Sequence, residues 1–503
     1  MVTCSWIAVA LALVTAPALI DAAEATCTYS DSETCPVENF TPGTDDGSVL
    51  VYPGGNTRCA FDDYTDSKTT FTSRSTYFFQ VFPNENLDKS KLLIFFQGGG
   101  ACIDKYTCNF AMQCSLASSA TFTTVATASS GGVLNRTLEG NAFSDWNVVH
   151  IPYCTGDLHA GSKTTAAYQS GLETLLGNTQ CLGQNKAMHM NGYNNAQSAL
   201  QWALTNYPDP EHLVIGGSSA GSLAAQAYSA YIADLWQVQA SGTKYQILAD
   251  SYVGVFPEET TPAGVILDYY GVCDVPLGAP ADIVEACQAQ TVTVTELMSS
   301  LLELVPFSDW LFIDSKADKT QRTFYQFVKD GIFGYPFTNI ISAADFFSVS
   351  GLCVCVCLWF VDLHPNMTAM IDVYETVSSG ISTFFVEGEK HVLVGDSNFP
   401  TVVSDTGAVL GDTITAWLDS PTPTGTPTPT PTTGSPSPTT PTPTSTSTPT
   451  SSPTATPSTP GTTTATPTTT PSTPTTSSPT TPSSSPTTPS PTPAATTPAP
   501  SAC

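Results

Sequence analysis

Short apolar runs that end at turns alternate along this chain with stretches of helical spacing. Residues 91–96 (KLLIFF) end at three glycines, residues 146–153 (WNVVHIPY) end at a turn, and residues 212–215 (HLVI) lead into a glycine- and serine-rich turn. Continuous apolar runs of this length, bounded by turns, are typical of strands buried on both faces. The pattern therefore predicts three buried strands.

Helical spacing surrounds the third of these runs. Residues 194–205 (NNAQSALQWALT) precede it, and the helix-like stretch SLAAQAYSAYIADLW follows the turn. Further strands are predicted at residues 245–255 and 381–386, and a final helix at residues 413–418. Because strand, turn and helix alternate, the sequence predicts an α/β fold with a mostly parallel sheet covered by helices on both faces.

Both ends of the chain differ from its middle in composition. Residues 1–22 are largely apolar and end in small residues, which predicts a secretory signal peptide with a run too short for a membrane span. Residues 420–503 are almost wholly Pro, Thr and Ser without a charged residue, so they cannot bury a core and predict a disordered, O-glycosylated stalk. Residues 23–419 are left as one folded domain with insertions.

The balance of charged residues restricts which molecules the protein can bind. The chain has 15 Lys and Arg against 43 Asp and Glu, a formal net charge of -28, and none of these residues lies in the stalk. Such an acidic domain excludes nucleic acid as a partner. Long-range repulsion also opposes the approach of a polyanionic substrate, although salt or low pH weakens it.

The cysteine content is typical of an exported protein, with 15 in the chain. Without Cys4 of the leader and Cys503 of the stalk an odd number remains, so one is unpaired or is joined to Cys503 or to another chain. No paired cysteines have the spacing of a metal site, so we expect disulfides and no metal. Three cysteines alternate along one predicted strand face and need partners elsewhere: Cys353, Cys355 and Cys357. Three sequons predict N-glycosylation: Asn39, Asn135 and Asn366.

Residues 217–221 read G-S-S-A-G, a G-x-S-x-G sequence between a predicted strand and a predicted helix. This is the setting of the nucleophile elbow of α/β-hydrolases, in which a sharp turn lifts the serine above the sheet. The glycines permit the turn, and the start of the helix offers N–H groups to negative charge. We therefore predict that Ser219 is a nucleophile. The alternative is a glycine-rich turn without chemistry.

A second glycine-rich loop, residues 97–102 (QGGGAC), follows the first predicted strand. In hydrolases of this class a loop at that point supplies backbone N–H groups to the oxyanion, together with the residue after the nucleophile. Here the donors are predicted to be Gly99, Gly100 and Ala220.

A serine nucleophile needs a histidine base and an acid, which this class places later in the chain with the acid first. His391 follows the strand-like STFFVEG, whereas His364 precedes a proline in an irregular stretch. We therefore predict His391 as the base. Asp318 follows the apolar run WLFI and is a natural acid, but spacing alone leaves three rivals: Asp250, Asp314 and Asp345.

Several motifs occur together in an order that resembles the pectin acetylesterase and Notum-type carboxylesterase family. They are FQGGGACID, PYCTGDLHAG, NGYNNAQSALQW, GGSSAGSLAAQ, SKADKTQ and EGEKH, and the resemblance covers residues from about 63 to 417. It implies that Ser219 is the nucleophile, that Asp318 is the acid of a D-x-x-Q element, and that His391 is the base. It also implies substrate contacts for Asp157 and His159, although a polar turn hydrogen-bonded to itself is an equal alternative.

The resemblance implies a secreted serine carboxylesterase, without cofactor, that removes O-acetyl groups from plant cell-wall pectin. A rival activity is Notum-like hydrolysis of longer acyl esters on lipids or lipidated proteins. An alternative of another class is a non-catalytic surface or glycan-binding protein with the same fold. We expect a monomer, with the stalk holding it at a cell wall or matrix.

Overall fold

The computed structural model describes residues 25–30, 32–43, 46–65, 72–104, 125–166, 187–331, 339–347 and 366–421. The chain divides into two units, Met1–Thr430 and Pro431–Cys503, and every described residue belongs to the first. The predicted leader, His364, the cysteines at 353–357 and the stalk beyond Pro421 lie outside the described residues. Among the helices that the structure describes, none is both long and apolar enough to cross a membrane.

A sheet of nine strands organises the described part of the first unit, in the order β1-β2-β5-β7-β6-β10-β11-β12-β13. Strands β7, β6 and β10 to β13 run parallel, and β5 runs against its neighbours. The strands are β1 Thr26–Thr28, β2 Val49–Tyr52, β3 Tyr64–Thr65, β4 Thr72–Ser73, β5 Phe79–Phe82, β6 Lys91–Phe96, β7 Asn147–Ile151, β8 Lys163–Thr165, β9 Met188–Met190, β10 His212–Ser218, β11 Lys244–Asp250, β12 Asp309–Ser315 and β13 Ile381–Val386.

Helices cover this sheet on both faces. The described α-helices are α1 Gly192–Asn206, α2 Ala220–Ala227, α3 Ser229–Leu235, α4 Val238–Ser241, α5 Ala263–Tyr270, α6 Ala281–Gln288, α7 Val294–Leu304, α8 Lys319–Asp330, α9 Ala343–Phe347, α10 Met367–Val377 and α11 Leu410–Leu418. Short 3-10 turns lie at Val37–Asn39, Gly132–Leu134, Val272–Asp274 and Phe399–Thr401.

The apolar strands have two buried faces because successive side chains point to opposite sides of the sheet. In β6, Leu92, Ile94 and Phe96 join a core that also contains side chains of α1 and α2. Leu93 and Phe95 join the opposite core, which contains side chains of α11. This two-sided burial confirms the prediction of a mostly parallel, α/β-hydrolase-like sheet.

The predicted elements are found with small shifts at their ends. The strands at 91–96 and 381–386 have the predicted bounds, and the final helix begins three residues earlier than predicted, at Leu410. The strand predicted at 245–255 ends at Asp250, because Ser251 takes the left-handed conformation with φ 63°.

Disulfides join loops to the sheet and helices. Cys27 bonds Cys35, Cys59 bonds Cys154, and Cys273 bonds Cys287. Cys102 is also disulfide-bonded. The Cys59–Cys154 bond spans 95 residues, so it restricts the unfolded chain most strongly of the three.

The carboxyl ends of the parallel strands position the candidate site. The ends of β6, β10, β11, β12 and β13 lie along one edge of the sheet because these strands are parallel neighbours. Loops that follow parallel strands meet at this edge, where α/β proteins bind their ligands. All predicted catalytic residues follow one of these strand ends.

Candidate active site

Ser219 stands on a strained turn between β10 and α2. Its backbone has φ 56° and ψ -121°, and its N–H donates to the carbonyl of Asp250 at 2.8 Å. Side chains at Gly217 or Gly221 would overlap backbone atoms, since the turn packs against the backbone of Phe96. A positive φ at a serine is uncommon and indicates a functional constraint. This is the local geometry of a nucleophile elbow.

His391 and Asp318 meet although 73 residues separate them. His391 Nδ1 lies 2.7 Å from Asp318 Oδ2; the carboxylate is fully buried, and the His391 side chain is 18% exposed. Asp318 is also the N-cap of α8, with Oδ1 accepting from the Gln321 N–H at 2.9 Å and Oδ2 accepting from Gln321 Nε2 at 3.0 Å. The helix start favours negative charge there. The arrangement fixes a carboxylate against the imidazole.

The rivals of Asp318 have other partners. Asp314 is buried, and both of its oxygens accept from Gln321 Nε2, at 2.8 and 2.9 Å. Burial, and then the neighbouring Asp318, raise the pKa of Asp314 well above its ordinary value. Asp345 lies in α9 and accepts from Ser342 at 2.6 Å. Only Asp318, of these four acids, bonds His391.

Asp250, the fourth candidate, forms hydrogen bonds with the loop that follows His391. It is fully buried and accepts from Ser218 Oγ at 2.7 Å and from Ser251 Oγ at 2.9 Å. It also accepts from the backbone N–H groups of Leu393 and Val394 at 3.1 Å. These bonds connect the ends of β10 and β11 to the loop after His391. Sequence reasoning treated Asp250 only as a rival acid and missed this role.

The three predicted oxyanion donors stand around Ser219. Ala220 is the first residue of α2, where backbone N–H groups lack helical partners. Gly99 and Gly100 line a cavity that also contains Ser219, and Gly100 has φ 76°, a value that favours glycine. The preceding residue, Gly98, packs so closely that a Cβ there would lie 2.5 Å from the Ser218 carbonyl. The loop and the elbow are therefore in direct contact.

Two cavities open at the site, and Ser219 and His391 line both of them. One, which we call the polar cavity, has a volume of about 340 Å³. The other, the apolar cavity, has a volume of about 110 Å³ and shares wall residues with a further apolar pocket of about 130 Å³. The polar cavity is defined by Gln97, Gly98, Gly99, Gly100, Ser129, His150, Thr320 and Phe324, and the apolar cavity by Leu158, Leu223, Tyr252, Val255, Phe256, Ile266, Phe324 and Val328.

Asp157 is buried beneath the site and does not line either cavity. It accepts from Thr155 Oγ1 at 2.5 Å and from the Gly192 N–H at the start of α1 at 2.8 Å. Burial raises its pKa to about 6, against the lowering effect of these bonds. Its contacts are those of the self-bonded polar turn, the alternative to a substrate contact.

His159 is likewise buried and contacts the oxyanion loop. Its Nε2 lies 2.8 Å from the Gln97 carbonyl, and its ring stacks on Tyr153 at a centroid distance of 4.5 Å. Burial lowers the pKa of His159 to about 4. The residue touches the loop that leads to Gly99 and Gly100 rather than a cavity wall.

The three sequon asparagines differ in exposure. Asn39 is exposed and Asn135 is half-buried, with Oδ1 accepting from Thr137. Asn366 is 3% exposed and caps α10, with Oδ1 accepting from the Ala369 N–H at 3.1 Å. The fold leaves space for a glycan at Asn39 but none at Asn366, because a glycan on Asn366 would break the hydrogen bond with which its side chain caps α10.

No curated protein matches the chain. The family model described as Pectinacetylesterase matches residues 72–270. This segment contains the glycine loop, the Asp157 turn and the Ser219 elbow, whereas Asp318 and His391 lie beyond it. The match confirms, over residues 72–270, the resemblance to pectinacetylesterases that the motifs indicate, and a pectinacetylesterase is a carboxylic ester hydrolase.

Proposed function

We propose that the protein is a secreted serine esterase that removes O-acetyl groups from an acetylated cell-wall polysaccharide such as pectin. One observation carries the proposal: Ser219, at positive φ, lines the same cavities as His391, whose Nδ1 lies 2.7 Å from the buried Asp318. This observation supports the proposal because it brings a candidate nucleophile, a candidate base and a candidate acid to one site, as acyl transfer requires.

The chemistry follows from this arrangement. Ser219 Oγ attacks the ester carbonyl carbon while His391 Nε2 takes its proton, and Asp318 stabilises the imidazolium through Nδ1. The negative charge on the carbonyl oxygen is stabilised by the N–H groups of Gly99, Gly100 and Ala220. His391 then gives the proton to the leaving alcohol. Water attacks the acyl-enzyme by the same route and releases the acid.

The charge of the chain limits the substrates. With a net charge of -28, the protein repels a strongly anionic polymer, and the repulsion decreases as salt shortens the Debye length. We therefore expect faster deacetylation of stretches whose acidic groups are esterified. Activity on acidic pectin should rise with moderate salt.

A second candidate is the hydrolysis of longer acyl esters on lipids or lipidated proteins, and the apolar cavity favours it. Its volume of about 110 Å³ is several times the ~30 Å³ share of one water in the liquid, so an acetyl group fills only part of it. The adjoining apolar pocket shares Leu223, Phe256 and Ile266 with it. This connection extends the space available to an acyl chain.

Acetate release from acetylated pectin, with p-nitrophenyl acetate and octanoate as comparison esters, tests the proposal. We expect acetate release and a short-chain preference, both lost in Ser219→Ala. Preference for octanoate without acetate from pectin would favour the second candidate. Ser229→Ala is the matched control, because the Ser229 hydroxyl is buried without a hydrogen-bond partner in α3. Activity that survives in Ser219→Ala would contradict the serine mechanism, and no activity at all would favour the non-catalytic alternative.

A further inference from the structure

His150 is a second histidine in the wall of the polar cavity, and the mechanism does not use it. It lies one residue before the end of β7 and is 1% exposed, yet it lines the same cavity as Ser219 and His391. A buried polar side chain normally has its hydrogen bonds satisfied by the protein. For His150 this holds on one side of the ring only.

The Nδ1 side of the ring is held by a fixed network. Nδ1 lies 3.0 Å from Oε1 of Gln80, its cross-strand partner in β5. The same oxygen accepts from the Ser129 N–H at 3.0 Å, while Gln80 Nε2 donates to Ser48 Oγ at 2.8 Å and to Asp46 Oδ2 at 3.1 Å. These partners determine which end of the amide faces His150. Nδ1 must therefore carry the proton, and Nε2 is left with a lone pair.

His150 Nε2 forms no hydrogen bond with any described residue, since the side-chain bond of His150 is the one through Nδ1. Burial lowers the pKa of His150 to about 3, so the ring stays neutral at working pH. A neutral nitrogen with a lone pair accepts a hydrogen bond and gives none. It is suited to a hydroxyl group and unsuited to a carboxylate.

We propose that His150 Nε2 accepts a hydrogen bond from a free hydroxyl on the alcohol part of the ester, next to the esterified oxygen. The inference rests on the proposed function and deepens it, because it specifies a polyhydroxylic alcohol such as a sugar. The polar cavity then holds the alcohol and the apolar cavity holds the acyl group. His150 is a specificity-determining residue for the alcohol.

The test compares three acetate esters. One is the monoacetate of a methyl glycoside with a neighbouring free hydroxyl, the second is its deoxy analogue, and the third is p-nitrophenyl acetate, which has no hydroxyl. The wild-type protein should prefer the hydroxylated glycoside to the deoxy analogue by about tenfold in kcat/KM, the size expected when a buried acceptor loses its donor.

The variants separate recognition from folding. His150→Asn places an amide near the position of Nδ1, so it keeps a donor for Gln80 but loses the acceptor at Nε2. It should abolish the preference and should lower kcat/KM for the hydroxylated glycoside more than for p-nitrophenyl acetate. His150→Gln reaches further and should restore part of the preference. His212→Asn is the control, because His212 forms a similar bond to Gln246 at 2.6 Å at the opposite end of the sheet. It should keep the full preference.

Three outcomes would overturn the inference: no preference in the wild-type protein, an unchanged preference in His150→Asn, or an equal loss on all three esters. The first of these needs no variant, so a folding defect in His150→Asn does not leave the inference untested. If the wild-type protein hydrolyses none of the esters, the proposed function itself has failed. If it hydrolyses the glycoside and its deoxy analogue equally well, only the role of His150 has failed.

Discussion

Ser219 lines both cavities, but the two cavities are built from different parts of the chain. The polar cavity is walled by strand ends and the loops that follow them, with Gln97 after β6 and His150 in β7. The apolar cavity is walled largely by α8 and by the segment between β11 and β12, which contributes Phe256 and Ile266. Ser219 and His391 therefore lie at the sheet edge, whereas the proposed acyl side depends on the segment between β11 and β12 and on α8.

This difference indicates which substitutions should act on both cavities and which on one. Residues that position Ser219 and His391 should affect every substrate alike, because the acyl transfer step is common to all esters. Residues of the segment between β11 and β12 should change only the response to the length of the acyl chain. Sites grafted on a fold vary in this way while the fold itself is kept.

Asp318→Asn should have the largest effect. The amide cannot stabilise the imidazolium of His391 and favours the wrong tautomer, so kcat should fall about 10⁴-fold. The fall should be equal for p-nitrophenyl acetate and octanoate. Steady-state kinetics at several pH values measure it.

Asp314→Asn is the matched control for Asp318→Asn. Asp314 bonds the same Gln321 amide but does not bond His391, so kcat should stay within about threefold of wild type. A loss in Asp314→Asn as large as that in Asp318→Asn would contradict the assignment of the acid.

Asp250→Asn should have the next largest effect. Its two oxygens hold Leu393 and Val394 in the loop after His391, together with Ser218 of the elbow strand. An amide offers one acceptor in place of two, so the loop loses a bond and His391 shifts relative to Ser219. We expect kcat to fall about 10²-fold with little change in KM, as for a small misplacement of catalytic groups.

The same loss of kcat should appear for acetate and octanoate esters, because Asp250 positions the loop after His391 and His391 lines both cavities. Asp309→Asn serves as the control, since Asp309 is a partly buried acid at the opposite end of the sheet that accepts from Ser420. An effect of Asp250→Asn on KM alone would show that Asp250 acts on binding rather than on the position of His391.

The parts of the site that could be predicted are those with local signals. The Ser219 elbow needs only a strand, a short glycine-rich turn and a helix in succession, so the residues themselves identified it. The contact between Asp318 and His391 has no local signal, because 73 residues separate the pair. Spacing left three rivals open there, and only the family resemblance selected Asp318.

The predicted strand at 245–255 shows why the acyl side could not be foreseen. Its apolar residues continue past Asp250, and the pattern reads them as one strand. In the structure, Tyr252, Val255 and Phe256 line the apolar cavity instead. Apolar side chains that face a cavity and those that face a core give the same sequence signal, and only long-range contacts distinguish them.

Ile266→Phe should act on the acyl side alone. Ile266 lies in α5 and lines both the apolar cavity and the pocket that adjoins it, so the larger ring should shorten the space for an acyl chain. We expect kcat/KM for octanoate to fall about tenfold, the scale of a few methylene groups in a pocket. Acetate hydrolysis should be unchanged.

Val265→Phe is the control for Ile266→Phe, because the preceding side chain in α5 is 37% exposed. It adds the same ring outside the cavity. If both variants lose octanoate hydrolysis equally, the effect comes from destabilising α5. If neither does, the apolar cavity does not hold the acyl group.

His159→Gln should have the smallest effect on activity and a distinct effect on stability. His159 is buried, and its Nε2 bonds the carbonyl of Gln97, a residue of the polar cavity wall. Glutamine can still donate to the Gln97 carbonyl, so both esters should lose only about threefold in kcat/KM.

The stability difference between His159→Gln and wild type should depend on pH. Burial lowers the pKa of His159 from 6.5 to about 4. Below pH 6.5 the imidazole therefore binds a proton in the unfolded chain but stays neutral in the folded protein until the pH approaches 4. Wild type should therefore lose about 2 kcal/mol relative to the variant between pH 7.5 and pH 5. Urea unfolding at both pH values measures this change. His189→Gln is the control, because His189 is less buried and its pKa is lowered less, so it should give a smaller change. An equal change in both variants, or none in His159→Gln, would mean that burial does not keep His159 neutral.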